Sequence, residues 1–314
     1  DHTRLRRLFN KAFTPTSVEN LRPNIEGIVA HLIDGMEAKA RRGETVDYIA
    51  DFAYPLPASV IMDLLGVPRA DLERVKVWSD DIALFIGTAQ VAGNKYLRAE
   101  SGAKAMSDYF RVLVEDRTDQ PRDDMISHLV LARDDRDALS TDEIIGTAIL
   151  LLFAGHETTS NLIGNGFFYS MKKRGQWERL IADPSLASTA VEEFLRYDGP
   201  SGALARVASA DLEMNGKAIR EGQRVFAFVN AANRDHEAFD DPERFDIGRV
   251  QNPHLTFGHG IHFCLGAPLA RLEAQIAAIR LTERLPHIRL SGGEPEWHDS
   301  LILRGVKRLP VEFG

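Results

Sequence analysis

The sequence has 314 residues, of which 44% are hydrophobic and 27% are charged, and its formal net charge is −8. This composition is typical of a globular protein and excludes a disordered or fibrous chain. The acidic balance provides no general attraction for nucleic acid or an anionic membrane. The single cysteine excludes an internal disulfide, which fits a cytoplasmic location.

Helical periodicity dominates the first two thirds of the chain. The predicted helices cover residues 18–42, 60–65, 72–85, 96–116, 125–132 and 144–173. The segment Ser140-Thr141-Asp142-Glu143 is typical of a capping box and indicates where the long apolar helix begins. Its apolar run, residues 144–154, is shorter than the ~20 residues that a membrane span requires, so we expect no transmembrane segment.

Strand patterns are sparse and occur late in the sequence. Residues 212–219 and 224–229 alternate apolar side chains around Asn215-Gly216 and Glu221-Gly222, which predicts short hairpins. A last strand pair is predicted at residues 301–303 and 308–313. We therefore expect a mainly α protein with small β-sheets, organised as one domain over residues 1–314.

The only cysteine, Cys264, lies in a glycine-rich loop at residues 257–266, directly before a helical pattern with Pro268 in its first turn. Glycines allow tight turns whose amide hydrogens can point at the sulfur. A helix N-terminus also lowers the pKa of a thiol. The pattern favours a metal-binding thiolate, although a lone cysteine is otherwise most often a small buried hydrophobic residue.

A second motif, Ala154-Gly155-His156-Glu157-Thr158-Thr159, follows the apolar part of the long helix. Small residues there would let the helix pass close to a flat cofactor. A hydroxyl at Thr158 can bond back to the carbonyl four residues earlier, which leaves room for a small ligand, and Glu157 could pass protons from solvent. A zinc protease motif would need a second histidine at position 160, which is Ser160.

Taken together, these motifs resemble the cytochromes P450 of the soluble bacterial type. The resemblance covers essentially the whole chain and implies the cytochrome P450 fold, with haem b bound through Cys264 as the axial ligand of iron. It implies further cofactor contacts from the two motifs and from cationic or imidazole side chains near the haem propionates. These residues are His2, Arg6, Ala154, Gly155, Arg206, Phe257, Gly258, His262 and Gly266.

The resemblance also implies a substrate pocket and a structural triad. The pocket residues carried over by position are apolar or small, namely Leu150, Phe153, Ala154, Gly202, Ala203, Leu301 and Ile302. The element Glu193-Phe194-Leu195-Arg196 places opposite charges three residues apart on one helical face. In the family this pair is joined by an arginine that precedes a phenylalanine, here Arg244, to form a buried triad that braces the fold.

The activity implied is that of a monooxygenase, which inserts one atom of dioxygen into a small apolar substrate, with Thr158 and Glu157 delivering protons. Electrons would come from a ferredoxin or flavodoxin with its NAD(P)H-dependent reductase, since one cysteine cannot hold an iron–sulfur cluster. Four basic residues on the two elements expected beside the cysteine would bind such a partner: Arg4, Arg7, Lys11 and Arg271.

Three alternative functions remain compatible with parts of the sequence. They are a peroxide-driven peroxygenase, a non-catalytic haem sensor or carrier, and a zinc site made of His254, His259, His262 and Cys264. The Glu157–Thr158 pair argues against the first two, and the zinc hypothesis leaves the long helix unexplained. Family members normally begin with further helices, strands and a substrate-gripping loop, so we expect the fold to be incomplete at the N-terminus.

Overall fold

The computed structural model describes residues 2–10, 13–86, 94–131 and 139–314, and helices form most of this part of the chain. The α-helices are α1 (His2–Asn10), α2 (Pro15–Glu19), α3 (Arg22–Arg41), α4 (Pro55–Leu65), α5 (Leu72–Ile86), α6 (Lys95–Asp119), α7 (Met125–Leu131), α8 (Thr141–Lys172), α9 (Arg174–Ala182), α10 (Ala187–Asp198), α11 (Val229–Ala232) and α12 (Ala267–Arg284). In the described residues, no helix is long and apolar enough to cross a membrane.

The long helix α8 begins at the predicted capping box. The Glu143 backbone N–H donates to the Ser140 hydroxyl over 3.2 Å, and the Ser140 N–H donates to the Glu143 carboxylate over 2.9 Å. Helices α4, α6, α10 and α12 pack around α8. The second half of this helix is buried on nearly every side, from Thr159 to Phe168, so α8 forms the centre of the molecule.

The hydrophobic core is continuous from the N-terminal helix to the last strand. It includes Phe9 on α1, Ile33 on α3, Leu162 on α8 and Val311 near the C-terminus. Helix α12 packs against α3, α8, α9 and α10 through a face of small and branched residues. This packing fixes the loop that precedes α12, which contains Cys264, relative to α8.

The strands form small antiparallel sheets. They are β1 (Val46–Asp47), β2 (Ala203–Val207), β3 (Leu212–Met214), β4 (Lys217–Ile219), β5 (Arg224–Phe228), β6 (Arg289–Leu290) and β7 (Pro310–Glu312). The predicted hairpin at residues 212–219 is confirmed, since β3 pairs with β4. Asn215 and Gly216 occupy its turn with φ angles of 49° and 73°, as the tightest hairpin turns require.

Two predicted strand pairings are wrong. Strand β5 does not form a hairpin with β4 across Glu221-Gly222 but pairs with β2, with Ala205 opposite Phe226. Strand β7 does not pair with residues 301–303 but lies between β1 and β6. Leu303 instead bridges to Ser201. The turn sequences indicate where the chain reverses but not which distant strand it meets.

The predicted helices match the observed ones with shifted ends. The segment predicted as one helix at residues 18–42 is divided between α2 and α3, and the helix predicted at residues 60–65 begins earlier, at Pro55. A proline is tolerated in the first turn of a helix, where its missing N–H would have had no partner. The last residue of the helix predicted at 125–132 lies outside the described residues.

Candidate active site

The loop before α12 is held by its own backbone. The Cys264 N–H donates to the carbonyl of Phe257 over 2.8 Å, and the Gly258 N–H donates to the carbonyl of Leu255 over 2.8 Å. Gly258 and Gly260 have φ angles of 73° and 71°, a region that side chains other than glycine rarely adopt. The glycine spacing thus produces a tight loop that places Cys264 just before α12, as predicted.

The sulfur of Cys264 lies in a largely buried position. Burial raises the pKa of the thiol above its usual value, although the amide hydrogens of Gly266 and Ala267 and the charges of Arg6 and Arg271 act in the opposite direction. The expectation that the helix N-terminus would lower this pKa is therefore wrong. Coordination to a metal would supply the missing stabilisation, because a coordinating thiol is deprotonated.

Helix α1 crosses the cysteine loop. The Arg6 guanidinium donates to the carbonyl of Phe263 over 2.6 Å, and the rings of His2 and His262 lie 4.5 Å apart, centre to centre. Three of the four predicted propionate contacts are thus brought to one place. The fourth, Arg206, is an exposed residue of β2, and the structure gives its side chain a hydrogen bond to the carbonyl of Ala205.

The middle of α8 contains the predicted acid and alcohol. The Thr158 hydroxyl donates to the carbonyl of Ala154 over 2.9 Å, which is the bond predicted from the sequence. Glu157 Oε1 lies 3.4 Å from Nε2 of the buried His156. Leu150, Ala154 and Thr158 follow one another at four-residue intervals along one side of the helix, and Leu150 is 62% exposed.

Gly155 lies on a different side of α8. A β-carbon added there would come within 2.8 Å of Cγ1 of Ile61 on α4. The absence of a side chain therefore lets α8 and α4 approach each other closely. The prediction that Gly155 makes room for a cofactor is corrected accordingly, because the space is used for helix packing.

The predicted substrate pocket is assembled only in part. Gly202 donates its N–H to the carbonyl of Ile302 over 2.8 Å, and an added β-carbon would meet the carbonyl of Leu301 at 2.7 Å. Leu301 is 42% exposed. In contrast, Phe153 and Ala203 are buried in the interior, so their side chains do not face an open surface.

The predicted triad has a different third member. Glu193 and Arg196 are fully buried and form two hydrogen bonds of 2.8 Å each. The third arginine is Arg249, whose Nε lies 3.3 Å from Glu193 Oε2 and whose side chain is 12% exposed. The side chain of Arg244 is 62% exposed and lies beside Asp246, so the prediction for Arg244 is wrong. Only its backbone carbonyl accepts a hydrogen bond from Arg196.

Two of the basic residues predicted to bind a redox partner form ion pairs. Arg4 contacts Glu143 at the start of α8. Arg271 donates to both carboxylate oxygens of Glu192 over 2.6 and 2.8 Å, and its guanidinium lies 4.6 Å from the centre of the Phe257 ring. Arg7 is exposed on α1, and Lys11 lies outside the described residues.

His156 and the His254–Glu192 contact are not predicted from the sequence. His254 Nε2 lies 3.0 Å from Glu192 Oε2, while its Nδ1 accepts the N–H of Thr256. This arrangement engages both ring nitrogens and is incompatible with a zinc ligand. Among the described residues, no group of three or more histidine, cysteine or acidic side chains could hold a metal ion. The zinc hypothesis is therefore wrong.

Known proteins match this chain along its length. The family model "Cytochrome P450" matches residues 1–185 and 179–310. The chain belongs to the cytochrome P450 family. Cytochrome P450 CYP107DY1 of Priestia megaterium is 44% identical over the whole chain, which covers 75% of that protein. The biotin biosynthesis cytochrome P450 of Bacillus subtilis is 42% identical, again over the whole chain, which covers 78% of that protein.

Solved P450 structures confirm the fold. P450BioI in complex with an acyl carrier protein carrying hexadec-9Z-enoic acid superposes with a TM-score of 0.94 at 41% identity, covering all of this chain and 80% of that one. Further relatives are named a hydroxylase/epoxidase and a monooxygenase. This cytochrome P450 is a haem-thiolate monooxygenase that binds haem b and uses dioxygen, an organic substrate and a redox partner.

The residues at the site fit haem b. A cysteine sulfur faces two backbone amide hydrogens, and such donors stabilise an iron-bound thiolate. Arginine and histidine side chains of α1 and the cysteine loop lie close together beside it, and cationic or hydrogen-bonding groups of this kind are what the two propionates need.

Proposed function

We propose that Cys264 is the axial ligand of the haem iron in this monooxygenase. The proposal is supported by its position at the end of a rigid loop and by the amide hydrogens of Gly266 and Ala267, which face the sulfur. The positive charges of Arg6 and Arg271 act in the same direction. Bound haem b supplies the activation of dioxygen, which the thiolate promotes by donating electron density.

The same proposal assigns haem contacts to the surrounding residues. Phe257, Gly258 and Gly266 surround the sulfur, and Ala154 faces the cofactor from α8. The propionates are bound by His2, Arg6, Arg206 and His262. The contact of Arg6 with Phe263 and the proximity of the His2 and His262 rings support three of these assignments. Arg206, the fourth residue of β2, is assigned from the resemblance to the family.

Proton delivery is assigned to Thr158 and Glu157, and one observation carries this step. The Thr158 hydroxyl bonds back to the carbonyl of Ala154 over 2.9 Å, and the adjacent Glu157 carboxylate is paired with His156. A helix carbonyl bonded in this way loosens the helical ladder locally. The hydroxyl can then orient a small ligand or water, while the carboxyl group exchanges protons with its surroundings.

We further propose a small apolar substrate, bound between α8 and the chain near β2. Leu150, Leu301 and Ile302 provide the accessible apolar side chains, Gly202 brings the two segments together, and Phe153 and Ala203 pack behind them. Related proteins support an apolar substrate class. P450BioI was solved with an acyl carrier protein carrying hexadec-9Z-enoic acid, and CYP267B1, which is 41% identical, was solved with myristic acid.

The electron donor is proposed to be a ferredoxin or flavodoxin, reduced by an NAD(P)H-dependent reductase. Helices α1 and α12 flank the cysteine loop, and both contribute arginines, which would attract an acidic partner. Arg7 is a candidate contact because it is exposed. Arg4 and Arg271 are further candidates, and each also pairs with a carboxylate. The single cysteine supports a cytoplasmic location, and the continuous core supports one domain.

Two experiments test the proposed site. Reduced, carbon monoxide-treated protein should show the Soret band of a thiolate-ligated haem, and Cys264→Ala should lose it. Turnover of apolar substrates should depend on a ferredoxin system rather than on hydrogen peroxide alone. Peroxide-driven turnover would instead support a peroxygenase, and ligand binding without oxidation of any substrate would support a sensor or carrier.

For the proton-delivery step, Thr158→Ala should reduce product formed per NADH by about tenfold, because proton transfer loses its positioned hydroxyl. Thr118→Ala is the matched control. Thr118 also donates its hydroxyl to the carbonyl four residues earlier, over 2.8 Å, but on α6. Measuring NADH consumption, product and hydrogen peroxide separates uncoupling from lost binding. Equal coupling in the two variants would contradict the role of Thr158.

A further inference from the structure

A buried histidine on α8 has no role in the mechanism proposed above. The His156 side chain is 0% exposed, and its Nδ1 lies 2.6 Å from the carbonyl oxygen of Leu152. A backbone carbonyl can only accept a hydrogen bond. Nδ1 therefore carries a hydrogen and donates it to Leu152, which leaves Nε2 as the nitrogen whose protonation can change.

Nε2 of His156 faces the carboxyl group of Glu157. The distance from Nε2 to Glu157 Oε1 is 3.4 Å, and Nε2 has no aligned hydrogen-bond partner in the described part of the chain. A neutral imidazole would present a lone pair here to the carboxylate, whose side chain is 14% exposed. Two acceptors that face each other repel, and the buried Nε2 is left unsatisfied. One proton between them removes both costs.

We propose that His156 is a positioning residue for Glu157, and that the two side chains hold one proton between Nε2 and Oε1, beside Thr158. The inference rests on the proposed proton-delivery role of Glu157. The exchange within the pair is balanced: imidazolium and carboxylate become imidazole and carboxylic acid when the Nε2–H bond breaks and the Oε1–H bond forms. The pair can thus present a proton at Glu157 without carrying a net charge in either form.

The rings around His156 hold the imidazole in place. The Tyr54 ring meets it edge-on with 5.5 Å between centres, and the Phe153 ring meets it at 6.4 Å. Aromatic contacts of this kind are directional. Together with the bond to Leu152 they restrict rotation of the ring, so Nε2 stays directed toward Glu157.

Charged groups from two other elements also face the pair. Lys76 on α5 and His298 in the segment before β7 act on Glu157 itself, and Glu73 and Asp80 on α5 act on the neighbouring Tyr54. Burial by itself would raise the pKa of Glu157, but the His156 imidazole, with His298 and Lys76, brings this pKa below its usual value. The carboxyl group is therefore ionised at rest.

Histidine side-chain ¹⁵N NMR of the ferrous, carbon monoxide-bound holoprotein tests proton occupancy without any turnover. Between about pH 6 and pH 8, both nitrogens of His156 should carry hydrogen in the wild type. Glu157→Gln should remove the Nε2 hydrogen while Nδ1 keeps its own, because the charge that held the proton is gone. An Nε2 without hydrogen in the wild type across this range overturns the proposal.

Two substitutions then test positioning. His156→Phe keeps a ring but has no polar atom, whereas His156→Gln keeps an N–H donor without a titratable proton. We expect His156→Phe to raise the share of electrons lost as hydrogen peroxide about tenfold. His156→Gln should recover part of the coupling, and both variants should lose the wild-type dependence of coupling on pH. Substrate dissociation constants should stay unchanged.

The matched control is His128→Gln, at an exposed histidine of α7, which should leave coupling and its pH dependence as in the wild type. Wild-type behaviour in both His156 variants overturns the proposal. If the His156 variants do not fold, the NMR comparison of the wild type with Glu157→Gln decides alone. Unchanged coupling in Glu157→Gln would refute the proton-delivery role of Glu157, and the NMR result would still report whether the pair holds its proton.

Discussion

Two charged clusters in this P450 differ in how their carboxylate is bonded. Around Glu193, both carboxylate oxygens bond to Arg196, and the carboxylate also receives the N–H of Asp246 and the amide of Asn252. At the edge of this cluster, Nε of Arg249 and Oδ1 of Asn252 have no hydrogen-bond partner among the described residues. In the middle of α8, the His156–Glu157 pair leaves Nε2 without an aligned partner, and the hydroxyl of Tyr54 has none among the described residues.

The difference lies in the two carboxylates. Moving Glu193 or Arg196 would leave a buried charge unpaired, so this pair is fixed in one geometry. The Glu157 carboxylate has no guanidinium bond of this kind, so the His156–Glu157 pair can change its protonation at little structural cost. The Glu193–Arg196 pair therefore supports the fold, whereas the His156–Glu157 pair is suited to proton transfer.

The largest effect should come from Arg196→Ala. The guanidinium bonds to Glu193 and to the carbonyls of Asn233, Pro242 and Arg244. Its removal leaves the buried Glu193 carboxylate without its guanidinium partner and three backbone carbonyls without this donor, so we expect a loss of about 3–5 kcal/mol in the free energy of unfolding. Urea denaturation of the haem-bound protein measures it. A loss below ~1 kcal/mol would mean that the network is not structural.

A second comparison tests the identity of the third arginine. Arg249→Ala should cost about 2 kcal/mol, because Glu193 keeps Arg196 but loses a nearby positive charge. Arg244→Ala is the control and should change stability by less than about 0.5 kcal/mol, since its side chain is exposed. The same denaturation experiment serves both variants. A larger loss of stability for Arg244→Ala than for Arg249→Ala would show that Arg244 is the third member of the triad.

Helix packing at the reactive cluster can be tested with two glycines of α8. Gly155→Ala should destabilise by about 1–2 kcal/mol, because the new methyl group would lie 2.8 Å from Ile61 Cγ1. Gly146→Ala meets no atom within 4 Å and should stabilise by about 0.5–1 kcal/mol through helix propensity. Thermal unfolding of the two variants gives the contrast. Equal shifts would show that α4 does not constrain this turn.

A third carboxyl group, Glu273 on α12, is buried without the ion pair that Glu193 has. Its Oε2 has no hydrogen-bond partner among the described residues, and burial raises its pKa well above the usual value. The folded protein then keeps a proton that the unfolded chain loses above its ordinary glutamate pKa. Stability should fall as pH rises from that value to the folded pKa, by up to about 1.4 kcal/mol per pH unit.

Glu273→Gln removes this proton linkage, because glutamine is neutral in both states. Urea unfolding at several pH values should show a flatter dependence of stability on pH for the variant than for the wild type. The variant should be as stable as the wild type in acid and more stable at alkaline pH. Parallel pH profiles would indicate that Glu273 is ionised and paired in the folded protein.

Features that depend on neighbouring residues could be predicted from the sequence. The capping box at Ser140, the Asn215-Gly216 turn, the tight glycine loop before Cys264 and the back-bonded Thr158 each follow from contacts within a few positions, so spacing alone predicts them. The family followed from the same motifs, because their residue types and order are specific.

Contacts between distant segments became evident only in the folded protein. There, β2 pairs with β5 and β7 lies between β1 and β6. Arg249 rather than Arg244 lies beside Glu193, and Gly155 packs against α4. His156 is buried beside Glu157, where the low-dielectric surroundings strengthen the interaction between the two side chains. The spacing of residues in the sequence does not predict which distant strand, charged side chain or helix face contacts a given site. Those contacts depend on how all the helices pack together.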